Sequence, residues 1–230
     1  VDVACRRSTA MHHSATHLLH AALRLVLGTH VAQKGSLVNE ENLRFDFSHF
    51  EPVSQQEILT LEQLINRQIR LNADVSADIM AKDEAVKAGA MALFGEKYGQ
   101  HVRVVSFDSS FSMELCGGTH VQNTQDIGLF KIRSESAVAS GIRRIEAITG
   151  AASKLWIQSE LELLEQLREL YKHPKDLIKT VQLQTETIQQ LQKDLERSYE
   201  AQIQFIKTEF LKHQKTSSSG LNYIVQRLDF

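Results

Sequence analysis

Four residues of this sequence have the types and spacing of a metal-binding group. His13 and His17 are four residues apart, so on a helix their imidazoles stand on the same face. Cys116 and His120 flank a Gly-Gly-Thr stretch, in which the two glycines allow the sharp turn that would bring thiol and imidazole together. Three nitrogens and one sulfur suit zinc. The spacing therefore predicts a zinc site whose two halves are brought together by the fold.

Each half alone has a plainer interpretation. A histidine pair on a helix is often a solvated or core pair, and a single thiol such as Cys116 is often a small buried apolar group. A protease of the HExxH type is disfavoured, because Ser14 rather than a glutamate follows His13. A site with four protein ligands is also typical of structural zinc, which leaves catalytic and structural roles open.

Two further histidines lie on the helix of His13 and His17. His20 shares their face, but one more ligand would overfill a tetrahedral site, so we expect it beside the ligands or in the core. His12 points away from that face, and we expect it to be solvated.

The composition is that of an ordinary globular protein. The 230 residues are 42% hydrophobic and 23% charged, with a formal net charge of −2, so any contact with RNA must come from a local basic patch. Two cysteines, Cys5 and Cys116, are too few for a disulfide framework, and no apolar run is long enough for a bilayer. We therefore expect a cytoplasmic protein without membrane contact. The absence of an initiator Met and the abrupt last residues suggest a piece of a longer chain.

The periodicity of residues 1–150 predicts an α+β domain with an antiparallel sheet and helices. A helix is expected over residues 10–27, capped by Ser8 or Thr9, and a second helix is expected to open at Ser54, because Glu57 completes a capping box. The other expected elements are two strands and a turn over 30–47, strands over 74–80, 102–107, 111–115, 127–132 and 142–148, short helices over 82–89 and 91–98, and a loop over 134–141.

The character of the sequence changes after residue 150. Residues 151–213 contain no glycine, and Pro174 splits them into two helices. The second has an apolar seam at alternating spacings of four and three, interrupted by Gln184, which predicts a coiled-coil packing face. We expect a helical dimerisation arm over 151–215, and over 216–230 a flexible linker followed by the start of a truncated C-terminal globular domain.

Six stretches of the chain are distinctive: HSATH at 13–17, GTHVAQKGS at 28–36, LRFDFSH at 43–49, AMALFGEK at 90–97, ELCGGTH at 114–120 and GIRRIEA at 141–147. Together they resemble the editing domain of alanyl-tRNA synthetases over about residues 5–150, and free-standing AlaX proteins and threonyl-tRNA synthetases share the two ligand halves. The helical arm resembles the dimerising part of the C-terminal domain of alanyl-tRNA synthetases.

The resemblance implies hydrolysis of the wrong aminoacyl ester, seryl or glycyl, from the tRNA for alanine. It places His13, His17, Cys116 and His120 as zinc ligands, with tRNA as partner and a homodimer through the arm. It also places Gln33 at a pocket position linked to the discrimination of serine from alanine, and Arg143 near the pocket.

Chemical reasoning adds candidates beside the ligands. A group that hydrogen-bonds the serine hydroxyl, Gln33 or Thr16, would discriminate against alanine, although each could be an ordinary surface residue. Lys34 and Arg143 could contact phosphates, as could Lys131, Arg133 and Arg144, although such cations often form ion pairs within the protein. Zinc, held in part by Cys116, would activate water or orient the substrate. The alternative function is a tRNA-binding or oligomerisation module with a structural zinc.

Overall fold

A computed structural model of the protein describes residues 2–92, 99–108 and 110–225. The chain divides into two compact units, residues 1–161 and 162–230. In the described residues, no helix combines the length and the apolar character that crossing a membrane requires.

The first unit is built around a helix, α1 (Val3–Leu27), which is buried along most of its middle. It begins earlier than the predicted residue 10, because the Asp2 carboxylate accepts hydrogen bonds from the backbone N–H groups of Ala4 and Cys5 and so caps the helix. Helix α1 ends at Gly28, as predicted. A helix buried on most sides can carry functional groups on a face that is closed to water.

A four-stranded antiparallel sheet packs against α1. Its strands, in the spatial order β1-β2-β7-β6, are β1 (Gln33–Val38), β2 (Leu43–Ser48), β6 (Lys131–Ala139) and β7 (Ile142–Ile148). The side chains of Leu43, Phe45 and Phe47 on β2 are fully buried in the same core as Leu18 and Leu19 of α1. Burial of such large apolar groups, about 1.5–3 kcal/mol each, holds the sheet against the helix.

The prediction for the segment before β7 is partly wrong. Residues 124–127 form a short 3-10 helix, where a strand was expected from 127, and residues 134–139 belong to β6, where a loop was expected. The strand pairs with β7 through two register shifts, and its residues beyond Ile132 are mostly exposed. The reason for the error is that an exposed strand with irregular register lacks the apolar alternation by which strands are recognised.

Helix α2 (Gln55–Arg70) opens with the predicted capping box. Ser54 Oγ accepts a hydrogen bond from the backbone N–H of Glu57, and the Glu57 carboxylate accepts one from the backbone N–H of Ser54. Its residues Leu61, Ile65 and Ile69 are buried in the core shared with α1.

A second, three-stranded antiparallel sheet carries the other end of the unit. It consists of β3 (Val75–Ala81), β4 (His101–Phe107) and β5 (Met113–Leu115) in that order, and the short helix α3 (Lys82–Lys87) connects β3 towards β4. The helix predicted over residues 91–98 lies largely outside the described residues. Strand β5 ends at the residue before Cys116, so this sheet positions the segment from Cys116 to His120, called the Cys116 segment below.

Two helices dominate the rest of the chain. Helix α4 (Gly150–Leu170) and helix α5 (Leu177–Lys212) are separated around Pro174, as the sequence predicted. All of α5 is exposed or partly exposed, including its apolar seam. Where a flexible linker was predicted, residues 215–223 form a hairpin of two short strands, β8 (Lys215–Thr216) and β9 (Asn222–Tyr223). The hydrogen bond from the Ser217 N–H to the Leu221 carbonyl explains the difference, because it closes this turn.

Candidate metal centre

The structure brings the four predicted ligands together. His13, His17, Cys116 and His120 each offer a ligand atom, and these atoms all lie within 4.8 Å of one another. Among the described residues this is the one group of three or more histidine, cysteine or acidic side chains with such a geometry. His17 is buried and the other three are partly buried. Residues separated by about a hundred positions therefore converge as the spacing predicted.

Backbone contacts hold the Cys116 segment in place. The Arg103 guanidinium on β4 donates hydrogen bonds to the backbone carbonyls of Cys116, at 3.0 Å, and Gly118, at 2.7 Å. The Cys116 N–H donates in turn to the Arg103 carbonyl at 3.0 Å. The Gly118 N–H lies 3.4 Å from Cys116 Sγ, so the segment curls around its own sulfur. The turn is thus tied to Arg103 of the neighbouring strand at Cys116 and at Gly118.

The distances from Cys116 Sγ to two histidine nitrogens match those expected in a tetrahedral zinc site. Cys116 Sγ lies 3.5 Å from His13 Nε2 and 3.3 Å from His120 Nε2. Ligands of a tetrahedral zinc, with Zn–S of about 2.3 Å and Zn–N of about 2.0–2.1 Å, stand about 3.5 Å apart across an S···N edge. Three imidazole nitrogens and a thiol are donors that zinc accepts readily. The four donors therefore fit zinc in their chemistry, and the two distances from Cys116 Sγ also match its tetrahedral spacing.

Polar neighbours fix the orientation of two of these histidines. His17 Nδ1 lies 2.7 Å from the buried carboxylate of Glu114. His120 Nδ1 lies 3.2 Å from Ser14 Oγ, which also accepts the backbone N–H of Val121 at 3.1 Å. Partners on the second ring nitrogen orient metal-binding histidines in this way, and a carboxylate also raises their basicity.

The charges at the centre favour a cation. Burial alone would raise the pKa of the Cys116 thiol, but hydrogen bonds with His120, His13 and His17 outweigh burial and lower this pKa to about 3. Burial likewise disfavours charge on His17, yet its contacts with Cys116 and Glu114 raise the pKa of His17 to about 9. A positive charge is thus stabilised between a thiolate and a carboxylate, and a metal ion that binds there would release the proton.

A cavity of about 460 Å³ opens beside the four ligands. The predicted residues Gln33 and Thr16 both line it, together with His20, Ser36 and Glu114. The Thr16 hydroxyl donates a hydrogen bond to the backbone carbonyl of His12 at 2.9 Å, so it has only its lone pairs to offer a ligand. The cavity therefore joins the metal-binding group to side chains that can recognise a polar ligand.

The predicted basic residues are not among those that line this cavity. Arg143 forms a bidentate ion pair with Glu135, and Lys34 is exposed on β1. Arg144 forms a bidentate pair with Asp46, and Lys131 donates to Glu62 at 2.9 Å. Arg143, Arg144 and Lys131 therefore form ion pairs within the protein, which is the alternative that the sequence analysis gives for these cations.

Sequence reasoning missed two polar residues near the centre, Glu114 and Ser14. Glu114, two positions before Cys116, accepts from two histidines, and Ser14, next to His13, bonds His120. Only their position beside predicted ligands could have drawn attention to them. His12, expected to be solvated, is buried instead, because Nδ1 is bonded to the Asn39 carbonyl and Nε2 accepts the Thr149 N–H.

Comparison with known proteins identifies relatives of this chain. Residues 102–146 match the family described as threonyl and alanyl tRNA synthetase second additional domain. The chain is 56% identical over 198 residues to an alanine–tRNA ligase of Methylococcus capsulatus, which covers 86% of this chain and 23% of that protein. It is 49% identical over 229 residues to that of Cytophaga hutchinsonii, covering 99% and 26%. The chain thus spans about a quarter of the length of these curated relatives.

Proposed function

Because the chain is homologous to a segment of the alanine–tRNA ligases and contains their second additional domain, we propose that it is a hydrolytic editing module. Its substrate would be the ester between a wrong amino acid, serine or glycine, and the tRNA for alanine. The observation that carries the proposal is the position of the four-ligand group beside a cavity that Gln33 lines. A module that serves a ligase in protein synthesis would work in the cytoplasm.

The metal of the module would be zinc, held by His13, His17, Cys116 and His120. When bound, zinc supplies Lewis acidity towards a carbonyl or lowers the pKa of water. Glu114 holds Nδ1 of His17, which leaves Nε2 of that ring for the metal. Ser14 holds Nδ1 of His120 and leaves its Nε2 for the metal in the same way. The protein thereby holds its donors in place before any ligand arrives.

The cavity residues would bind and orient the acyl group. The amide of Gln33 can both donate and accept hydrogen bonds, so it can contact a hydroxyl, an ammonium or a carbonyl. Thr16 can accept a hydrogen bond from the same group. A site that pairs a substrate hydroxyl can discriminate against the analogue without it by up to roughly 10⁴–10⁵, which a purely apolar pocket cannot do.

RNA contacts are a further part of the proposal. Lys34, which is exposed on β1 and follows Gln33, would contact a phosphate through its charge. Arg143 would have to share its guanidinium between Glu135 and a phosphate, since both of its paired nitrogens now donate to that carboxylate. Binding through such groups would weaken as the salt concentration rises.

One observation favours the alternative, a tRNA-binding or oligomerisation module with structural zinc. Four protein donors complete a tetrahedral set, and structural zinc sites are closed in this way. Activity would then require a ligand to be displaced or the coordination to expand.

Deacylation measurements separate the two functions. The zinc-loaded chain should hydrolyse seryl-tRNA in single-turnover assays with protein in excess, and should leave alanyl-tRNA largely intact. The variant Cys116→Ala should lose both zinc and activity. Zinc-loaded protein that binds the tRNA yet leaves the seryl ester unhydrolysed would exclude the editing reaction and support the structural alternative.

We also propose that the chain forms a homodimer through α5. The helix exposes Val181, Ile188, Leu191 and Leu195 along one seam, and with Gln184 these positions alternate between spacings of three and four. Such a seam is self-complementary in a coiled coil, so a second copy of the same helix is the partner that it suits.

A further inference from the structure

One buried nitrogen at the candidate metal centre has no hydrogen-bond partner. His20 is 2% exposed, and its Nε2 is one of four buried side-chain atoms in the described residues that lack a partner. Of these four, Nε2 alone belongs to a residue that lines the cavity beside the four ligands. A buried polar atom left unpaired carries a desolvation penalty, so its presence in such a place calls for a functional reason.

The His20 ring cannot rotate to find a partner for Nε2 without losing other contacts. Its Nδ1 lies 2.9 Å from a Glu114 oxygen, and the ring packs against Phe45 with centroids 5.3 Å apart. Because a carboxylate can only accept, Nδ1 carries the hydrogen of this bond. A flipped ring would give up that bond, so Nε2 stays unpaired while Glu114 holds Nδ1.

Glu114 also links His20 to the ligand group. Its second oxygen accepts from His17 Nδ1 at 2.7 Å, so one carboxylate orients both a ligand histidine and His20. The His20 ring is thereby held in a fixed orientation relative to His17, in the wall of the same cavity. This position suits a group that recognises the side chain of the acyl moiety.

We propose that His20 recognises the side-chain hydroxyl of the acyl group, with Nε2 as the hydrogen-bonding atom. This inference rests on the proposed function, because it names the group that selects the substrate of the same site. A hydroxyl can donate as well as accept, so it pairs with Nε2 whether or not that nitrogen carries a hydrogen. The methyl group of alanine would leave Nε2 unpaired, as it is in the free protein, so the correct ester would lack the hydrogen bond that favours the seryl ester.

The hydroxyl must approach through a local shift of the cavity wall, because Nε2 exposes less than 1 Å². Gln33 lines the same cavity and can contact other polar atoms of the acyl group, so the role of His20 adds to that of Gln33. Serine discrimination would then depend on both residues.

Two substitutions separate the recognition of the hydroxyl by His20 Nε2 from the hydrogen bond that His20 Nδ1 donates to Glu114. In His20→Asn the side-chain amide can replace Nδ1 as donor to Glu114 while Nε2 is lost. In His20→Gln the longer amide can reach the position of Nε2, but the bond to Glu114 is lost. His12→Asn is the matched control, because His12 is a buried histidine of the same helix whose two nitrogens are already paired with backbone groups.

The first measurement is binding of two non-hydrolysable probes, the seryl and alanyl amides of 3′-amino-3′-deoxyadenosine, to the zinc-loaded chain. We expect wild type to bind the seryl probe more tightly than the alanyl probe. In His20→Asn the ratio of the two affinities should fall about 5- to 150-fold, which is the range for one buried hydrogen bond. His20→Gln should keep part of the preference, and His12→Asn should keep all of it even if the fold is less stable.

The second measurement is deacylation of seryl- and glycyl-tRNA by the same proteins. The seryl rate of His20→Asn should fall relative to the glycyl rate, because glycine has no hydroxyl to lose. Parallel losses on both esters, or a larger loss of seryl preference in His20→Gln than in His20→Asn, would show a structural role and overturn the inference. If wild type hydrolyses neither ester, the proposed function fails, and the probe preference still decides the role of His20.

Discussion

Gly118 leaves no room for a side chain beside His13. A Cβ built at Gly118 would lie 2.0 Å from His13 Cε1 and 2.5 Å from His13 Nδ1, whereas one at Gly117 would meet nothing within 4 Å. We expect Gly118→Ala to push the His13 ring out of the ligand group and to weaken zinc binding at least tenfold, while Gly117→Ala keeps wild-type affinity. Competition with a chromogenic chelator measures both. Equal affinities in the two variants would contradict the packing seen at Gly118.

Glu114 is the second residue whose role can be measured apart from catalysis. The variant Glu114→Gln keeps the size of the side chain but leaves only one oxygen to accept from His17 and His20. Loss of such a partner typically weakens metal binding about 10- to 100-fold, and we expect a loss in that range. The control is Glu62→Gln, a buried carboxylate bonded to Lys131 and to the Ile132 N–H. The control should lower the melting temperature without changing zinc affinity, and the opposite pattern would refute the role of Glu114.

At the scale of residues, the sequence predicted the group of four side chains that converge, but not the neighbours that orient them. The spacing of each ligand pair is local, so HxxxH on a helix and CxxxH around two glycines could be recognised directly. The contact between His17 and Glu114 joins residues 97 positions apart and depends on how β5 lies against α1. Nothing local in the sequence specifies that placement, so the contacts of Glu114 with His17 and His20 are found only in the folded protein.

Helix ends illustrate the same limit at the scale of elements. The capping box at Ser54 was predicted correctly, because both partners lie within one turn. The start of α1 was placed at residue 10, although Asp2 caps the helix eight residues earlier, since Ser8 and Thr9 offered an equally plausible cap. The length of β6 was missed because its outer residues are exposed and polar.

The capping box gives a prediction for α2. We expect Ser54→Ala to lower the free energy of unfolding by about 1 kcal/mol, because the first turn loses its side-chain acceptor. Ser54→Thr should restore most of this loss. Zinc affinity should not change in either variant, since α2 contributes no ligand. Urea denaturation measures the stabilities, and an Ala variant as stable as wild type would show that the cap contributes nothing.

At the scale of the whole molecule, the exposed apolar seam of α5 leads to a prediction about dimer formation. Ile188 is 56% exposed and lies on the seam, whereas Gln189 is the next residue and lies off it. We expect Ile188→Asp to shift a dimer to monomer in sedimentation velocity, and Gln189→Asp to leave the dimer intact. A wild-type chain that stays monomeric at the highest concentration it reaches would contradict assembly through α5.

The split between α1 and the Cys116 segment has a consequence for how the fold resists opening. Cys116 follows His13 by 103 residues, so an ion bound by both closes a very long loop and acts as a reversible cross-link. Cross-links over long loops remove the most freedom from the unfolded chain. Chelation should therefore speed amide hydrogen exchange in both ligand segments at once, far apart in sequence, while the amides of α5 exchange as before. Exchange that accelerated in only one of the two segments would mean that the metal does not join them.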